Sequence, residues 1–577
     1  MSSYLKTSAQ RWARLGISSK FPRQISSTAR CLTNHPVQIT NLKDGPGLRD
    51  FINVTRKNTT QLNEELNIPY LDEPIKTYGE NRKVFLETYG CQMNVNDTEV
   101  VWSILKNNGF QKTDEIKLAD VILVVTCAVR EGAETKIWNR IQHLGAMKKN
   151  RSHKSPLQIG ILGCMAERLK TQLLEKEQCI DIVAGPDSYR DLPRLLAITR
   201  NGPRAANVLL SLDETYADIM PVRLNEGAVS AFVSIMRGCD NMCSYCIVPF
   251  TRGRERSRDI SSIIQEVLHL HDTGVKEITL LGQNVNSYRD LSSGPSMLNA
   301  DQTTHLSNPG FRTVYKNKVG GQRFADLLHK LAHEVPEMRI RFTSPHPKDF
   351  PDEVLQVIKE NKNICKSLHL PAQSGSSKVL ERMRRGYTRE AYLELVSHIR
   401  SIIPDIALTS DFICGFCGET EEDFQETLTL MKNVKYHVAY LFAYSMREKT
   451  TAHRRYTDDV PEEIKARRLR DMIKVYREDA EILLKKDIGK HQLILIEGIS
   501  KRSPNDYYGR NDQNIKVIIP NKLIHQSKEE YINHKHDMSL RETKIGDFVA
   551  VQIKEANSQI LKAVPLYHST INQFYST

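Results

Sequence analysis

Cysteine is scarce in this chain, with 11 residues among 577. That number is too small for a fold held together by disulfides, so we expect reduced thiols and a reducing compartment. Long hydrophobic runs are absent as well, and a run such as residues 121–125 is far too short to cross a bilayer. Residues 570–577 are polar, so no C-terminal membrane anchor is expected either. The sequence therefore predicts a soluble protein with no membrane partner.

Acidic side chains are missing from residues 1–43, which carry seven Lys or Arg and eleven Ser or Thr. Leu5, Trp12 and Leu15 can share one face of a short helix in this segment. Such a composition is typical of a mitochondrial transit peptide, and it predicts a location in the mitochondrial matrix. A disordered basic tail is the alternative, and residues 44–81 are predicted to be a polar linker.

Three of the cysteines each follow an apolar segment. The segments cover residues 83–90, 120–126 and 157–163 and lead to Cys91, Cys127 and Cys164, which stand 36 and 37 residues apart. The regular interval predicts the strand–helix units of a doubly wound parallel sheet over residues 82–200. Because parallel strands end at the same edge of a sheet, we expect these thiols to form one three-thiolate site. The alternative is three buried cysteines that behave as small apolar residues.

A second group of three thiols stands in one short loop, as Cys239-x3-Cys243-x2-Cys246. An iron–sulfur cube has four corners, so three cysteines leave one iron without a protein ligand. An open coordination position is typical of a catalytic metal site rather than a structural one. The spacing and the aromatic Tyr245 resemble the radical S-adenosylmethionine (SAM) enzymes, in which SAM occupies the open iron. A three-cysteine zinc knuckle completed by a distant His is the alternative.

Residues 225–460 carry six apolar strand patterns with helical patterns between them. The strand patterns lie at residues 231–236, 277–281, 338–342, 367–370, 406–413 and 438–444. Six such units predict a partial (β/α)6 barrel with its chemistry at the carboxyl ends of the strands. One of the helices is predicted at residues 261–270, with a capping box formed by Ser262 and Gln265. Residues 289–322 are polar and without periodicity, and we expect a disordered insertion or a lid.

A basic helix is predicted at residues 461–488, with Pro461 in its first turn. Its apolar side would contain Ile464, Leu469, Met472, Ile473 and Tyr476. Short strand patterns then predict a small β-barrel over residues 489–566. These patterns lie at residues 491–499, 514–520, 546–554 and 559–564.

The formal net charge of +12 favours a polyanionic partner, although the charge alone is weak evidence. In the C-terminal barrel, basic and aromatic side chains occur together, as they do on RNA-binding surfaces. The candidates are Lys501, Arg502, Tyr507, Tyr508 and Arg510. Ordinary barrel surface is the alternative.

Together the motifs resemble the radical-SAM methylthiotransferases, the MiaB-type family of tRNA-modifying enzymes. The likeness extends over residues 82–566 in the three-domain order of the family, with a C-terminal module that resembles the RNA-binding TRAM barrel. Besides the two cysteine triplets, it rests on residues 87–94, 237–258, 281–288, 341–347, 369–376 and 509–512. The N-terminal leader, the absence of an anchor and residues 415–420 and 444–450 resemble a eukaryotic mitochondrial branch. Cys417, where the bacterial pattern has Pro, creates a Cys414-x2-Cys417 pair with either a packing role or a redox or metal role.

The resemblance implies a tRNA-2-methylthio-adenosine synthase that modifies isopentenyl-adenosine next to the anticodon of mitochondrial tRNA. Cys239, Cys243 and Cys246 would hold one 4Fe–4S cluster, and Cys91, Cys127 and Cys164 a second, auxiliary 4Fe–4S cluster that carries the transferred sulfur. SAM would serve as radical source and methyl donor, with an external electron donor and a sulfur donor as further partners. No catalytic side chain is implied beyond the cluster ligands.

Several polar residues at or just past predicted strand ends are candidates for binding SAM. They are Tyr245, Gln283, Asn284, Ser344, Gln373 and Ser374. Turn residues that bond the backbone are the alternative for each. Arg252, Arg254, Arg256 and Arg258 could contact phosphates or the SAM carboxylate, or form a solvated charge run, although Glu255 indicates some internal pairing.

Two sister activities are the nearest alternatives: a methylthiotransferase of threonylcarbamoyl-adenosine in tRNA, and one of an aspartate in a ribosomal protein. A protein-binding regulator of a cyclin-dependent kinase is an alternative from another class. Such a regulator would not need six thiolates at two sites, although the interaction could be a second activity.

Overall fold

The computed structural model describes residues 77–576, apart from 129–130, 152–155, 201, 212, 293–310, 312–319 and 534–539. The predicted transit peptide and nearly all of the predicted linker lie outside the described residues, as does most of the predicted insertion. Among the helices that are described, none combines the length and the hydropathy that a membrane span requires.

The N-terminal part is a sheet of six parallel strands, which confirms the doubly wound prediction. In order across the sheet the strands are Gln111–Lys112, Lys83–Thr88, Val121–Thr126, Gln158–Gly163, Ile182–Ala184 and Ala205–Asn207. Side chains of the central strand alternate between two cores, with Leu123 on one face and Ile122 on the other. Helices Gln92–Asn107 and Leu192–Thr199 cover the first face. The opposite face is covered by Glu131–Lys149, Cys164–Leu169 and Gln172–Lys176.

The N-terminal domain extends past the predicted bounds, 82–200, at both ends. Strand Ala205–Asn207 pairs with Ile182–Ala184, and both are too short to show a hydrophobic pattern in the sequence. Tyr78, which falls in the predicted linker, is buried in the first core and donates a 3.0 Å hydrogen bond to Gln158. The phenol fills space at the edge of the sheet, so the domain begins before residue 82.

The central part contains the six parallel strands predicted for a partial barrel. Strands Ser230–Ser234, Glu277–Leu281 and Arg339–Phe342 form one half; Ser367–His369, Ala407–Cys414 and Val438–Ala443 form the other. A parallel bridge between Ile340 and Ile364 joins the halves. The outer helices are Ile260–Asp272, Phe324–Glu334, Asp352–Glu360, Ser377–Arg382, Arg389–Ile402 and Glu421–Val434. Their apolar faces and the strands form the largest core of the described chain.

The capping box predicted for the first of these helices is wrong. The helix begins at Ile260 after Asp259, whose side chain makes no capping hydrogen bond, and the Ile260 amide donates instead to the Asp290 carboxylate at 2.9 Å. The Ser262 hydroxyl accepts a 2.8 Å hydrogen bond from Arg258 and donates to the carbonyl of Ala217 at 2.5 Å. The Ser262 hydroxyl is therefore bonded to the buried Arg258 guanidinium and does not form the capping box that the sequence pattern predicts.

The predicted connecting helix is present as Glu462–Lys485, but Pro461, which is predicted in its first turn, precedes the helix as its N-cap residue. Its buried face contains Met472 but also Lys465 and Arg468, which the apolar pattern does not include. The Lys465 ammonium lies 2.9 Å from Asp458, and Arg468 lies 2.9 Å from Glu419. Ion pairing thus allows two basic residues to face the barrel where a hydrophobicity pattern predicts solvent.

The C-terminal part is a small closed barrel, as predicted. Its five main strands are His491–Ile499, Asp506–Arg510, Lys516–Pro520, Phe548–Ala556 and Ile560–His568. The barrel closes where Lys516–Pro520 pairs in parallel with Ile560–His568. Short strands Leu523–His525 and Leu540–Glu542 extend the sheet, and helix Ile571–Tyr575 follows the last strand.

Two buried arginines attach this C-terminal barrel to the central one. Arg339 donates to the carbonyls of Arg510 and Leu493 at 2.9 and 3.0 Å. Arg341 donates to two further carbonyls of the same barrel, those of Asn511 and Asp512, at 2.7 and 2.9 Å. The carboxylate of Glu277 lies 3.0 Å from Arg341 and balances its charge. Main-chain oxygens, rather than C-terminal side chains, therefore receive all four of these hydrogen bonds.

Replacing Arg341 with Met should weaken this attachment. The change leaves the buried Glu277 carboxylate without its nearest cation, and breaking a buried pair costs about 3–5 kcal/mol. The free energy of unfolding in urea should fall accordingly. Arg541→Met is the matched control, because its 3.0 Å pair with Asp547 is half exposed and should cost below about 1 kcal/mol. Equal losses in the two variants would contradict the role given to Arg341.

Candidate functional site

The three N-terminal cysteines follow three adjacent strands at one edge of the sheet. Cys127 and Cys164 come directly after their strands and are buried, whereas Cys91 is exposed. Burial is the main cause that raises the pKa of Cys164 to about 11; Arg252 opposes the rise, and the neighbouring thiols of Cys127 and Cys91 add to it. The structure thus places the three thiols within electrostatic reach of one another.

Gly90 allows the Cys91 loop to approach Cys127. Its φ is +113°, and a Cβ atom there would stand 2.6 Å from the Cβ of Cys127. Any larger residue would push the two cysteines apart, so the glycine fixes how closely the strand ends can meet. The Gly-Cys order in the sequence is a signal for this close approach.

The loop of the second triplet is held by main-chain atoms of two neighbouring segments. The Ser244 amide donates to the carbonyl of Met383 at 3.0 Å, and the Ser244 hydroxyl donates to the carbonyl of Arg382 at 2.7 Å. A third hydrogen bond joins the Ala452 amide to the Ser244 carbonyl at 2.7 Å. The position of the loop between its second and third cysteines is therefore fixed from both sides.

The thiols of this triplet are grouped together inside the loop. Cys239 and Cys243 are buried, and Cys246 is partly buried. The Asn241 amide donates to the Cys239 sulfur at 3.4 Å. Burial, and next the Cys246 thiol, raises the pKa of Cys239 well above its usual value. The three sulfur atoms are thus close enough for each to influence the charge of the others.

Arg385 is a residue at this loop that no sequence pattern indicates. Its guanidinium is buried and lies 3.4 Å from the sulfur of Cys243 and 3.5 Å from the hydroxyl of Tyr245. It also donates to the hydroxyl of Tyr387 at 3.0 Å and to the carbonyl of Pro371 at 2.8 Å. Arg385 stands far from the cysteine motif in the sequence, so a local pattern could not connect the two.

The two triplets approach each other across the boundary between the N-terminal sheet and the central barrel. Ile247, which follows Cys246, packs in one buried cluster with Cys164 and Ala128, and Phe250 packs against it. A thiol of the first triplet and the residue next to a thiol of the second therefore share one apolar contact.

The predicted SAM contacts occupy different kinds of position. Tyr245 lies beside Arg385, within the second triplet. Gln283 has a buried side-chain oxygen that accepts no hydrogen bond from the described residues. Ser344 and Gln373 have φ angles of +57° and +69°, a backbone region that is uncommon outside glycine and concentrated at functional sites. These four residues stay predicted SAM contacts.

Asn284 and Ser374 are instead engaged within the protein. The side-chain oxygen of Asn284 accepts a 3.1 Å hydrogen bond from the His346 amide. The Ser374 hydroxyl accepts from the Ser376 amide at 3.2 Å and lies 3.3 Å from the Thr427 hydroxyl. These contacts match the alternative of turn residues that bond the backbone.

The arginine-rich segment after the second triplet is neither a solvated charge run nor a free anion site. Three of its members are buried and paired: Arg252 with Asp97 at 2.6 Å, Arg256 with Asp187 at 2.9 Å, and Arg258 with Glu266 at 2.6 Å. Arg254 is half exposed and lies 3.1 Å from Asp240. These guanidinium groups form ion pairs with carboxylates from distant parts of the chain. A local sequence pattern could not reveal such pairs.

Asp97 carries the contact between the surroundings of the two triplets. Its fully buried carboxylate receives Arg237 at 2.9 Å and Arg252 at 2.6 Å, from either side of the second triplet. Burial opposes its charge, but Arg252 and Arg237 outweigh burial and lower the pKa of Asp97. The carboxylate is therefore ionised and bridges the two domains.

The predicted RNA contacts separate into two groups. Lys501 and Arg502 are exposed in the turn before strand Asp506–Arg510. Tyr507 packs against the barrel core, and the ring of Tyr508 lies 4.3 Å from the Lys516 ammonium. Arg510 lies 3.3 Å from Glu497 and donates to the Asn514 carbonyl at 3.2 Å. Its side chain is therefore engaged in contacts within the barrel.

Comparison with known proteins agrees with this arrangement. Residues 83–185 match the uncharacterized protein family UPF0004, residues 233–431 the radical SAM superfamily, and residues 485–566 the TRAM domain. A human protein named mitochondrial tRNA methylthiotransferase CDK5RAP1 is 55% identical over 551 residues, which cover 92% of this chain and 90% of that protein. The chain belongs to the radical-SAM methylthiotransferase family.

Two more distant relatives in this family are also similar over most of their length. A Caenorhabditis elegans CDK5RAP1-like protein is 48% identical, over 92% of this chain and 93% of that protein. A Porphyromonas gingivalis protein named tRNA-2-methylthio-N(6)-dimethylallyladenosine synthase is 48% identical, over 84% of this chain and 94% of that protein. The predicted family resemblance is confirmed.

Membership of the family implies an iron–sulfur cluster and SAM. Within the described part of the chain, no three His, Cys, Asp or Glu side chains are placed to share one metal ion. A 4Fe–4S cube needs no such group, because each thiolate binds a different iron atom. The soft sulfur donors at both triplets fit an iron–sulfur cluster.

Cys414 and Cys417, where this sequence departs from the bacterial pattern, are both buried. The Cys414 thiol lies 3.6 Å from the Lys465 carbonyl of the connecting helix. Cys417 packs in an apolar cluster with Phe416 and Tyr444. The surroundings of both thiols are those of packed core residues.

Replacing Asp97 with Asn should remove the ionic bridge and its pH dependence. Two buried guanidinium groups would lose the Asp97 carboxylate, and only Arg237 would keep another one nearby, Glu214 at 3.6 Å; the loss should be about 3–5 kcal/mol at neutral pH. Folding lowers the pKa of Asp97. The contribution of Asp97 to the free energy of unfolding is therefore fully present above its unfolded pKa of about 4, and it is lost as the pH falls through its folded pKa. Urea unfolding of wild type and variant should therefore differ at pH 7 and converge in acid.

Asp218→Asn is the control for this comparison. Asp218 pairs with Arg190 but is largely exposed, so its removal should change the unfolding free energy by less than about 1 kcal/mol. A difference between wild type and Asp97→Asn that persists unchanged in acid would refute an ionic role for Asp97.

Proposed function

We propose that this protein is a mitochondrial tRNA methylthiotransferase that places a methylthio group on carbon 2 of isopentenyl-adenosine next to the anticodon. The observation that carries the proposal is the meeting of two three-thiol sites at one domain boundary, through Cys164 and Ile247. Each site leaves one corner of a 4Fe–4S cube without a protein ligand. A reaction that needs both a radical source and a sulfur carrier requires two such sites facing one substrate.

The target bond determines why cofactors are needed. An adenine carbon–hydrogen bond is neither acidic nor electrophilic, so side-chain acid–base catalysis cannot open it. When bound, the clusters and SAM supply the radical that removes the hydrogen, together with the sulfur and methyl group that replace it. Cys239, Cys243 and Cys246 would hold one cluster. Cys91, Cys127 and Cys164 would hold the auxiliary one.

The remaining residues position these groups and keep water away. Ile247 and Phe250 form an apolar wall between the triplets, which protects a reactive intermediate from side reactions. Gln283 would offer SAM its buried oxygen, which accepts no hydrogen bond within the described part of the chain, with Tyr245, Ser344 and Gln373 as further contacts. Asp97, Arg237 and Arg252 hold the two domains at a fixed separation.

The names of the relatives support the substrate and the location. The bacterial relative is named for dimethylallyl-adenosine, the isopentenyl-type substrate, rather than for threonylcarbamoyl-adenosine or a ribosomal protein. The human relative is named mitochondrial, and together with the predicted leader this supports the matrix. The electron donor, the sulfur donor and any interaction with a kinase stay predictions.

Iron content and nucleoside analysis test the proposal. Anaerobically reconstituted protein should bind about eight irons, and replacing either triplet with Ala should leave about four. Cys414→Ser with Cys417→Ser is the matched control and should keep all eight. In mitochondrial tRNA from cells lacking the protein, mass spectrometry should find the isopentenyl nucleoside without its methylthio group. Bound zinc, or a methylthio nucleoside that persists unchanged, would overturn the proposal.

The exposed pair Lys501 and Arg502 should contact the tRNA backbone. Replacing both with Ala should weaken tRNA binding and reduce the slope of log affinity against log salt by about 1 for each phosphate that the variant no longer neutralises. Fluorescence anisotropy over a salt series measures both quantities. Arg510→Gln, which removes a side chain already paired with Glu497, should leave the slope unchanged. The same fall in slope for the double variant and for Arg510→Gln would contradict the assignment of Lys501 and Arg502 as tRNA contacts.

A further inference from the structure

Arg385 is a buried cation that has no carboxylate partner among the residues that the structure describes. Within the described residues, its contacts are the Cys243 sulfur, the hydroxyls of Tyr245 and Tyr387, and the carbonyl of Pro371. Other buried arginines of the chain, such as Arg252 and Arg341, each pair with an acid. A guanidinium is always charged, and burying it without an anion costs several kcal/mol. The position therefore requires a negative group that the protein side chains do not provide.

We propose that Arg385 is a positioning residue that sets the reduction potential of the cluster at Cys239, Cys243 and Cys246, by a charge-assisted hydrogen bond to the Cys243 sulfur. The inference rests on the proposed function, since it takes that cluster as given. The thiolates of a bound cluster supply the negative charge that the guanidinium lacks.

The geometry holds the guanidinium in one orientation. One terminal nitrogen donates to Pro371 and Nε donates to Tyr387, which leaves the other terminal nitrogen directed at Cys243 and Tyr245. The Tyr387 hydroxyl is itself fixed by the Pro371 carbonyl at 3.0 Å. A donor anchored on two sides loses little freedom when the sulfur becomes charged, so the bond is available at no reorganisation cost.

The direction of the effect follows from electrostatics. Reduction adds one negative charge to the cluster, and a nearby cation with a hydrogen bond to a cluster sulfur stabilises the reduced form more than the oxidised one. Arg385 therefore raises the potential and makes the cluster easier to reduce. The Cys239 sulfur receives a backbone donor, Asn241, which only a substitution with proline would remove. The Cys243 bond comes from a side chain and can be tested.

The test uses the full chain with Cys91, Cys127 and Cys164 replaced by Ala, so that one cluster remains. Its midpoint potential is measured without SAM, by redox titration followed by electron paramagnetic resonance. Arg385→Met should lower the potential by at least about 59 mV, which is a tenfold change in the ratio of oxidised to reduced cluster for one electron. Arg384→Met removes the same charge from the exposed neighbouring residue and should leave the potential unchanged.

Two milder variants keep the test decisive if Arg385→Met fails to hold iron. Arg385→Lys retains the positive charge but not the planar set of guanidinium donors. Tyr387→Phe retains the arginine but removes the hydroxyl that accepts its Nε hydrogen bond. Each should lower the potential by less than the Met variant. Unchanged potentials in iron-loaded variants, or an equal shift in Arg384→Met, would overturn the proposal. A weaker SAM affinity at an unchanged potential would do so too, because it would make Arg385 a SAM-binding group. A parent chain that binds no iron would refute the proposed cluster itself.

Discussion

The fully buried carboxylate of Asp97 is the interaction on which the arrangement of the site depends. Asp97 stands on the helix that begins directly after Cys91, and its two partners, Arg237 and Arg252, flank the loop of the second triplet. A single side chain thus sets the separation of two sites that come from different folds. Arg237 also lies 3.6 Å from the Glu214 carboxylate, so the two buried cations face two carboxylates and the group is charge-balanced.

Much of the fold can be predicted because hydrophobic periodicity is local. The strands that lead to Cys91, Cys127 and Cys164 each contain several apolar residues in close succession, and the parallel sheet brings their ends together without further information. Strands Gln111–Lys112, Ile182–Ala184 and Ala205–Asn207 escape prediction, because two or three residues carry no period. Five of the six barrel strands have four to eight residues and are long enough to be recognised.

The parts of the site that the sequence does not predict are long-range ion pairs and hydrogen bonds. The arginines after Cys246 look like a solvated or phosphate-binding run, yet Asp97, Asp187 and Glu266 bury three of them. Arg385 lies more than a hundred residues from the thiol that it contacts, and only tertiary packing brings them together. In the same way, Lys465 and Arg468 face inward because Asp458 and Glu419 are there to receive them.

The attachment of the C-terminal barrel has an evolutionary consequence. Arg339 and Arg341 recognise main-chain carbonyls, which every amino acid possesses. The side chains around those carbonyls can therefore mutate without losing these four hydrogen bonds, apart from Asp512, whose carboxylate accepts a further 2.9 Å hydrogen bond from the Lys366 amide. The two arginines on the central barrel cannot be replaced in this way. The outward surface of the C-terminal barrel could therefore change during evolution, and its preference for an RNA could change with it. The distance between this barrel and the thiols would stay the same.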